Sequence, residues 1–322
     1  MFEKLLTAIF RGLILFAVFL APAYAQDFPN KTIKIIVPYA PGGAADILAR
    51  IVAEDMTKSY GQSVVIENKA GASGTTGSEI VSRSPPDGYT LVMGTSASHS
   101  VNTIAFAKTY DPLTAFTPVA LLTVAPNVIF VSPSLPIYTP ADLVKYLKAN
   151  PGTGIATSGP ATSGRFAAEL FMAKVGVDLT IVPYAGSAPA AADVRAGHAK
   201  IGITDLLAPT PFIKNGNVRA IAVTSLQRSS SLPDVPTIAE SLLPGFDAVA
   251  WIALFAPPQT PAAIVNKLNA SVKKVLTIPE VKLRVDALGH DTALGSPADL
   301  HEYVRADIAR WKDVAKTNKL TF

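Results

Sequence analysis

The segment that most restricts the fold is Thr32-Ile33-Lys34-Ile35-Ile36-Val37, a β-branched apolar run that meets Pro38-Tyr39-Ala40-Pro41-Gly42-Gly43. A run of this length ending at proline and glycine is a buried strand entering a loop. Directly afterwards Ile47, Ile51, Val52 and Met56 recur at helical spacing, and Gly61 supplies a stop. The pattern then repeats. Val64-Val65-Ile66-Glu67 is a second strand, residues 68–77 a small-residue loop, and Ile80 and Val81 belong to a second helix. Pro85-Pro86-Asp87-Gly88 turns the chain into a third strand, Tyr89-Thr90-Leu91-Val92-Met93. Strands alternating with helices predict a parallel sheet, so the fold class is α/β.

After Phe116-Thr117-Pro118 the character changes, with extended apolar segments at 119–122 and 127–131 and an amphipathic helix from Thr139 to Lys148. The strand, loop and helix unit then returns at 154–157, 158–164 and 165–175. Further strands are expected at 180–182, 201–203 and 218–224, with helices at 189–196 and 208–215 between them. Residues 249–255 read as a strand leading back to the first unit, followed by helices at 264–275, 279–288 and 297–316. The expectation is two domains, residues 26–122 with 250–322 forming one and residues 123–249 inserted as the other. Two chain crossings make a hinge, and a hinge makes a cleft that can close.

Residues 1–25 read as a signal peptide. Lys4 and Arg11 precede an apolar run at 12–21, and Ala23-Tyr24-Ala25 is a small-x-small exit. The alternative, an uncleaved anchor, is disfavoured because that run falls short of the roughly 20 residues of a bilayer span. The 322-residue chain remains long enough for two domains. It contains no cysteine, which excludes disulfides and thiolate zinc sites. With 28 basic against 24 acidic residues, scattered without a dense run, it carries no nucleic-acid footprint.

Three loops, 41–43, 71–74 and 158–164, follow strands and precede helices, so each can offer free N–H groups at a positive helix end. Such ends bind anions, although glycine also enters these turns for steric reasons alone. Nucleotide sites fail on spacing, because neither G-x-x-x-x-G-K-[ST] nor G-x-G-x-x-G occurs. Ser73, Ser96 and Ser158 keep a hydrolase in view, yet the G-x-S-x-G elbow is missing. Of the histidines, His99 follows a strand in a serine-rich segment; His198, His290 and His301 read as solvated or loop-packing, with no metal-ligand spacing. No cofactor, metal or catalytic group is expected.

The residues Ile36-Val37-Pro38-Tyr39-Ala40-Pro41-Gly42-Gly43-Ala44-Ala45-Asp46, Glu67-Asn68-Lys69-Ala70-Gly71-Ala72-Ser73-Gly74, Pro86-Asp87-Gly88-Tyr89-Thr90-Leu91, Val182-Pro183-Tyr184-Ala185-Gly186-Ser187-Ala188-Pro189 and Leu232-Pro233-Asp234-Val235-Pro236-Thr237-Ile238-Ala239-Glu240 form an ordered set. In this it resembles the Bug family, the solute receptors of tripartite tricarboxylate transporters. The resemblance covers essentially all the sequence beyond the leader. It implies a two-domain periplasmic-binding-protein (Venus flytrap) fold and a periplasmic, monomeric, non-catalytic receptor. Its partners would be a small organic carboxylate and the transporter's membrane subunits; an exported sensor with a signalling partner shares every residue and stays open.

The resemblance also implies which residues meet the ligand. Tyr39, Pro41, Gly42 and Gly43 would act through backbone groups and water, Ser158, Gly159 and Thr162 would grip a carboxylate, and Thr95 and Ser96 would line the cleft. Ser73 on the second glycine loop belongs to the same candidate set. Trp251 is either core or pocket floor, and Asp46 is read as structural, an acid in a helix's first turn. Two departures from the family pattern bear on specificity. Arg165 stands where a histidine is common and either clamps a second carboxylate or lies solvated on the surface; Thr204, followed by Asp205, stands where an acid is common, and an acid there would suit an ammonium. The expected ligand is therefore a dicarboxylate or aromatic acid rather than an amino acid.

Overall fold

The first apolar run becomes strand β1 (Ile33–Val37), hydrogen-bonded in parallel to β2 (Val64–Asn68) and to β3 (Thr90–Thr95) in a computed structural model. The structure describes residues 28–102, 110–159, 162–184 and 186–317; the leader read at 1–25 lies outside them. Helix α1 (Ala44–Tyr60) and helix α2 (Thr75–Ser82) make the right crossovers expected of parallel neighbours. Gly61 ends α1 in the left-handed conformation, its N–H bonded to the Thr57 carbonyl.

The chain then enters β4 (Thr117–Val131), which differs from the two separate segments read in the sequence. It is one continuous strand of 15 residues whose first part pairs within one sheet and whose last part pairs within a second. Residues 117–126 pair with β9 (Val249–Ala256), and residues 123–124 also pair with the short β10 (Asp291–Thr292). From Asn127 onward β4 lies instead between β7 (Ile201–Asp205) and β8 (Arg219–Val223). Pro118, Pro126 and Thr123 interrupt the apolar run without interrupting the strand, because register shifts near 118–120 and 121–123 absorb the irregularity.

Beyond β4, helix α3 (Pro140–Ala149) starts on a capping box between Thr139 and Asp142. Strands β5 (Thr153–Thr157) and β6 (Leu179–Pro183) add in parallel, in the order β7-β5-β6, with α4 (Ser163–Val175) and α5 (Ser187–Ala196) as their crossovers. The short helices α6 (Thr210–Lys214) and α7 (Ile238–Ser241) follow. Helices α8 (Ala262–Leu276) and α9 (Pro279–Asp286) return to the first sheet.

Each sheet is buried on both faces, which is why its strands read as unbroken apolar runs. One face of the first sheet packs Ile33, Ile35 and Leu91 against Leu48 and Met56 of α1 and Leu268 and Val272 of α8. In the second, Ile155, Ile201 and Ile203 pack against Phe166, Leu170 and Phe171 of α4.

The terminal helix α10 (Pro297–Thr317) joins the two. Its Leu300, Val304 and Ile308 pack with Trp251 and Phe255 under the first sheet, and on the same stripe Trp311 and Val314 enter the core around α4. Burying such a side chain is worth roughly 1.5–3 kcal/mol, so α10 is a strut with an anchor at each end. Where the chain crosses, a polar knot replaces apolar packing. The Asn127 N–H donates to the Thr224 hydroxyl, the Thr224 N–H to the Asn127 carbonyl, and the Asn127 side-chain amide to the Ala248 carbonyl.

Candidate functional site

The carboxyl ends of β1, β3, β5 and β7 converge with the crossing strand β9 on a cavity of about 470 Å³. On the side of the first sheet it is lined by Tyr39, Gly43, Ala44 and Ala45 at the start of α1, and by Thr95, Ser96 and Ala97 after β3. On the side of the second sheet Ser158, Thr162, Ser163, Phe166 and Asp205 line it. Trp251 and Trp311 are apolar lining from β9 and α10, and His290 enters from the turn before β10.

Local sequence explains how each anionophilic edge is built. Helix α1 begins after Gly43, which supplies no side-chain cap, so its first-turn N–H groups need partners from outside the helix. One neighbour is already committed: the Gly42 N–H donates to the Asp46 carboxylate at 2.9 Å. That carboxylate also accepts from Arg50 and from the Asn68 amide, and the Arg50 hydrogen bonds hold its pKa down at about 2. Asp46 thus braces the loop. Helix α4 starts differently. The Thr162 hydroxyl accepts from the Arg165 N–H and donates to the Gly159 carbonyl, while the Ser163 hydroxyl donates to the Asn127 side chain at 3.0 Å.

Tyr39 is held from beneath. Its hydroxyl shares a 2.5 Å hydrogen bond with Thr95 and donates to the Ser73 carbonyl at 3.3 Å. Gly74 packs so closely that an added Cβ would lie 2.6 Å from that hydroxyl. Burial pushes the phenol's pKa up, so it stays protonated and can donate. The floor is likewise fixed from below. Trp251 is fully buried, and its indole N–H donates to the Asp307 carboxylate at 2.9 Å. Asp307 and Asp247 both approach Arg310, at 3.4 and 3.2 Å, and burial raises the pKa of both acids.

Of the residues selected from the sequence, Tyr39, Gly43, Thr95, Ser96, Ser158, Thr162, Asp205 and Trp251 share this one cavity. The others lie elsewhere, each for a visible reason. Pro41 and Gly42 sit on the exposed shoulder of their loop. Ser73 is in a left-handed turn, φ 51°, with its carbonyl turned to Tyr39 and to the Asn102 amide. Gly159 is buried behind Thr162. Arg165 does not line the cavity; its guanidinium is 3.6 Å from the Glu169 carboxylate one helical turn on. Thr204 is fully buried and donates its hydroxyl to the Asp205 carbonyl, whereas Asp205 itself reaches the cavity. The acid that seemed displaced by Thr204 is therefore present one residue later, with its carboxylate accepting from the Ser187 hydroxyl and the Leu207 N–H.

His290, Phe166 and Trp311 were not selected. His290 lies at a turn and is 8 % exposed, which matches the loop-packing arm of its sequence reading rather than the solvated one. Its sequence signal was weak, since only the pairing of β10 with β4 carries that turn over the cavity. Trp311, by contrast, falls on the apolar stripe of α10 and could have been found by its spacing from Ile308. His99 contacts Ser98 at 2.9 Å, a pairing a hydrolase would need, but both are fully buried and neither lines the cavity.

The comparisons with known proteins agree with this architecture. The family described as tripartite tricarboxylate transporter family receptor, TctC, matches residues 48–320. Protein BugT of Bordetella pertussis is 32% identical over 299 residues, covering 92% of this chain and 92% of BugT. A protein from the tcbD-tcbE intergenic region of Pseudomonas sp. (strain P51) is 38% identical over 288 residues, 88% of this chain and 85% of its own length. Among solved structures, an R. palustris protein with adipate is 37% identical with a TM-score of 0.71, covering 92% of this chain and 99% of that one. A TctC solute binding protein from Polaromonas, without ligand, superimposes with a TM-score of 0.83 at 27% identity, over 91% of this chain and 100% of that one. Family receptors are periplasmic, and among the described residues no helix is long and apolar enough to cross a membrane. The chain belongs to the TctC, or Bug, family of periplasmic solute receptors, which bind their solutes without chemical conversion.

Proposed function

We propose that this receptor captures a dicarboxylate or an aromatic acid and presents it to the membrane subunits of a tripartite tricarboxylate transporter. One observation carries the ligand class. The cavity joins the starts of two long helices, α1 and α4, and the hydroxyls of Thr95, Ser96 and Ser158 to an apolar body of Phe166, Trp251 and Trp311. No lysine or arginine is among its described lining residues. N–H groups and hydroxyls hold a carboxylate without a buried counter-charge, and aromatic walls suit a methylene chain or a ring. The volume falls within the roughly 300–1,000 Å³ of small-molecule sites, and a relative was solved with adipate, a chain diacid.

The ligand contacts in this reading are Tyr39, Gly43, Thr95, Ser96, Ser158, Thr162 and Trp251. Residues 26–122 with 250–322 form one domain and 123–249 the other, closing about the knot of Asn127, Thr224 and Ala248. The mature receptor begins after Ala25 and acts as a monomer. A second reading has its own support: Asp205 in the cavity would suit the ammonium of an amino acid. Calorimetric titration of the protein from Gln26 onward with adipate, malate, benzoate, aspartate and glutamate separates the two. Tight binding of aspartate or glutamate alone would refute the assignment.

A further inference from the structure

We propose that His290 is the anion-recognising side chain of the cavity and that binding a carboxylate draws a proton onto its imidazole. This rests on the carboxylate reading above and adds the group that supplies the positive charge. Among the described lining residues His290 is the one side chain able to become a cation.

Its placement is built rather than incidental. β10 pairs with β4 through Thr292 and Thr123, and this hangs the preceding residue, His290, over β4. There Nδ1 lies 2.9 Å from the hydroxyl of the fully buried Thr123. With Nδ1 committed, Nε2 is the nitrogen left to the cavity that the residue lines.

The surroundings determine what that nitrogen carries. Burial lowers the pKa of His290 to about 4, while the carboxylates of Asp205, at the end of β7, and Asp291, on β10, pull in the opposite direction. Asp286 on α9 accepts from the Ser230 hydroxyl at 3.2 Å, and Asp291 accepts from the same hydroxyl at 2.7 Å. The protein alone therefore holds a neutral imidazole above about pH 5, and among the described lining residues Asp205 is then the one charged side chain. An anion would be repelled by that acid. A proton on His290 removes the conflict, because the imidazolium can donate to the ligand while Asp205 and Asp291 offset its charge. An opposite charge at contact raises a pKa by roughly 1–3 units, which brings the liganded imidazole into the range of about 5 to 7.

The linkage has a definite sign. A bound-state pKa above the free-state value means that affinity rises as pH falls through the bound value, by up to about tenfold per unit, and is flat above it. Calorimetry with adipate, malate and benzoate at pH 5.5 and 7.5, in buffers of different ionisation enthalpy, measures the proton directly. For the tightest binder, a bound-state pKa of about 6 makes uptake at pH 5.5 exceed that of His290→Gln by about 0.7 proton, with roughly fourfold tighter binding than at pH 7.5 once the variant's own pH dependence is divided out. The ligand's own titration is common to both proteins and cancels. NMR of the wild-type imidazole, with and without saturating ligand, keeps the test decisive if His290→Gln folds poorly. Binding with proton uptake equal to the variant's, or an imidazole pKa unmoved by ligand, overturns the role of His290 while leaving the receptor assignment standing. Failure of all three acids to bind refutes the carboxylate reading and this inference together.

Discussion

Gly164, in the first turn of α4, offers the sharpest test of how packing positions the site. A Cβ added there would fall 2.5 Å from the Ile203 carbonyl oxygen and 3.2 Å from the Thr204 Cα, both backbone atoms of β7. That strand is paired on both sides, to β4 and to β5, so it cannot retreat. Real Cβ contacts essentially never fall under 3.0 Å, and Gly164→Ala must therefore lift the start of α4 by at least about half an ångström. Overpacking of this kind costs about 1–3 kcal/mol, or several degrees of melting temperature for a chain of this size. The lift also drags Thr162 and Ser163, both on the cavity wall, and strains the Ser163 bond to Asn127. Losing one charge-assisted hydrogen bond to a carboxylate is worth about 1.5–3 kcal/mol, which weakens Kd by roughly 10- to 100-fold. Calorimetric titration and thermal unfolding would be run beside Gly154→Ala, whose added Cβ meets only the Val182 methyl at 3.5 Å. Gly164→Ala that loses stability but binds as wild type would show that the start of α4 is no part of the ligand seat.

Acid should destabilise the fold through His99, whose pKa burial lowers to about 3. Its folded value lies below the unfolded 6.5, so the protection is complete above pH 6.5 and is lost as pH falls toward 3, by about 2 kcal/mol at pH 5. The raised pKa values of Asp247 and Asp307 act in the other sense. Urea unfolding of wild type and His99→Phe at pH 7 and 5 isolates the histidine, and equal losses in both would contradict it. Arg165→Gln should change ligand affinity by less than about fivefold, because Arg165 faces Glu169 rather than the cavity; a larger loss by calorimetry would return Arg165 to the ligand. Trp251→Phe strips Asp307 of a 2.9 Å donor and should cost about 1–3 kcal/mol in denaturant unfolding. No measurable cost would mean that Arg310 and the acid's other neighbours make good the lost donor.

The alternation of β1, α1, β2, α2 and β3 was legible because parallel strands buried on both faces leave the shortest and purest apolar runs. β4 was legible only in pieces, since prolines and a buried threonine look like breaks when the compensating register shifts are invisible. At the site, backbone-borne features such as the Gly43 and Thr162 helix starts were readable, for they follow from local strand, loop and helix order. Side-chain direction was not. Arg165 and Glu169 stand four residues apart, and that spacing favours a pair on the helix surface over a ligand clamp. Thr204 and Asp205 exchanged roles because strand residues alternate faces, and a one-residue offset decides which of them meets the cavity. His290 depended on a β10 pairing of two residues, below what any apolar pattern can announce.

Release matters to a transport receptor as much as capture, and the charges of this cavity bear on it. A fixed arginine against a carboxylate in a closed cleft would bind tightly and leave slowly, because opening would expose an uncompensated pair to separation. Helix N–H groups and hydroxyls return to water at little cost when the lobes part. In the proposed two-domain closure, Asn127 would couple the two events. Asn127 donates its amide to the Ala248 carbonyl on the returning crossing and accepts from the Ser163 hydroxyl at the start of α4. A rotation about the knot, as proposed, would move a cavity-wall residue directly, because Asn127 bonds both the returning crossing and Ser163. Beneath it, α10 anchors Ile308 under the first sheet and Trp311 in the core around α4. Because Trp311 is also cavity lining, the proposed closure would change the cavity floor together with the hinge angle.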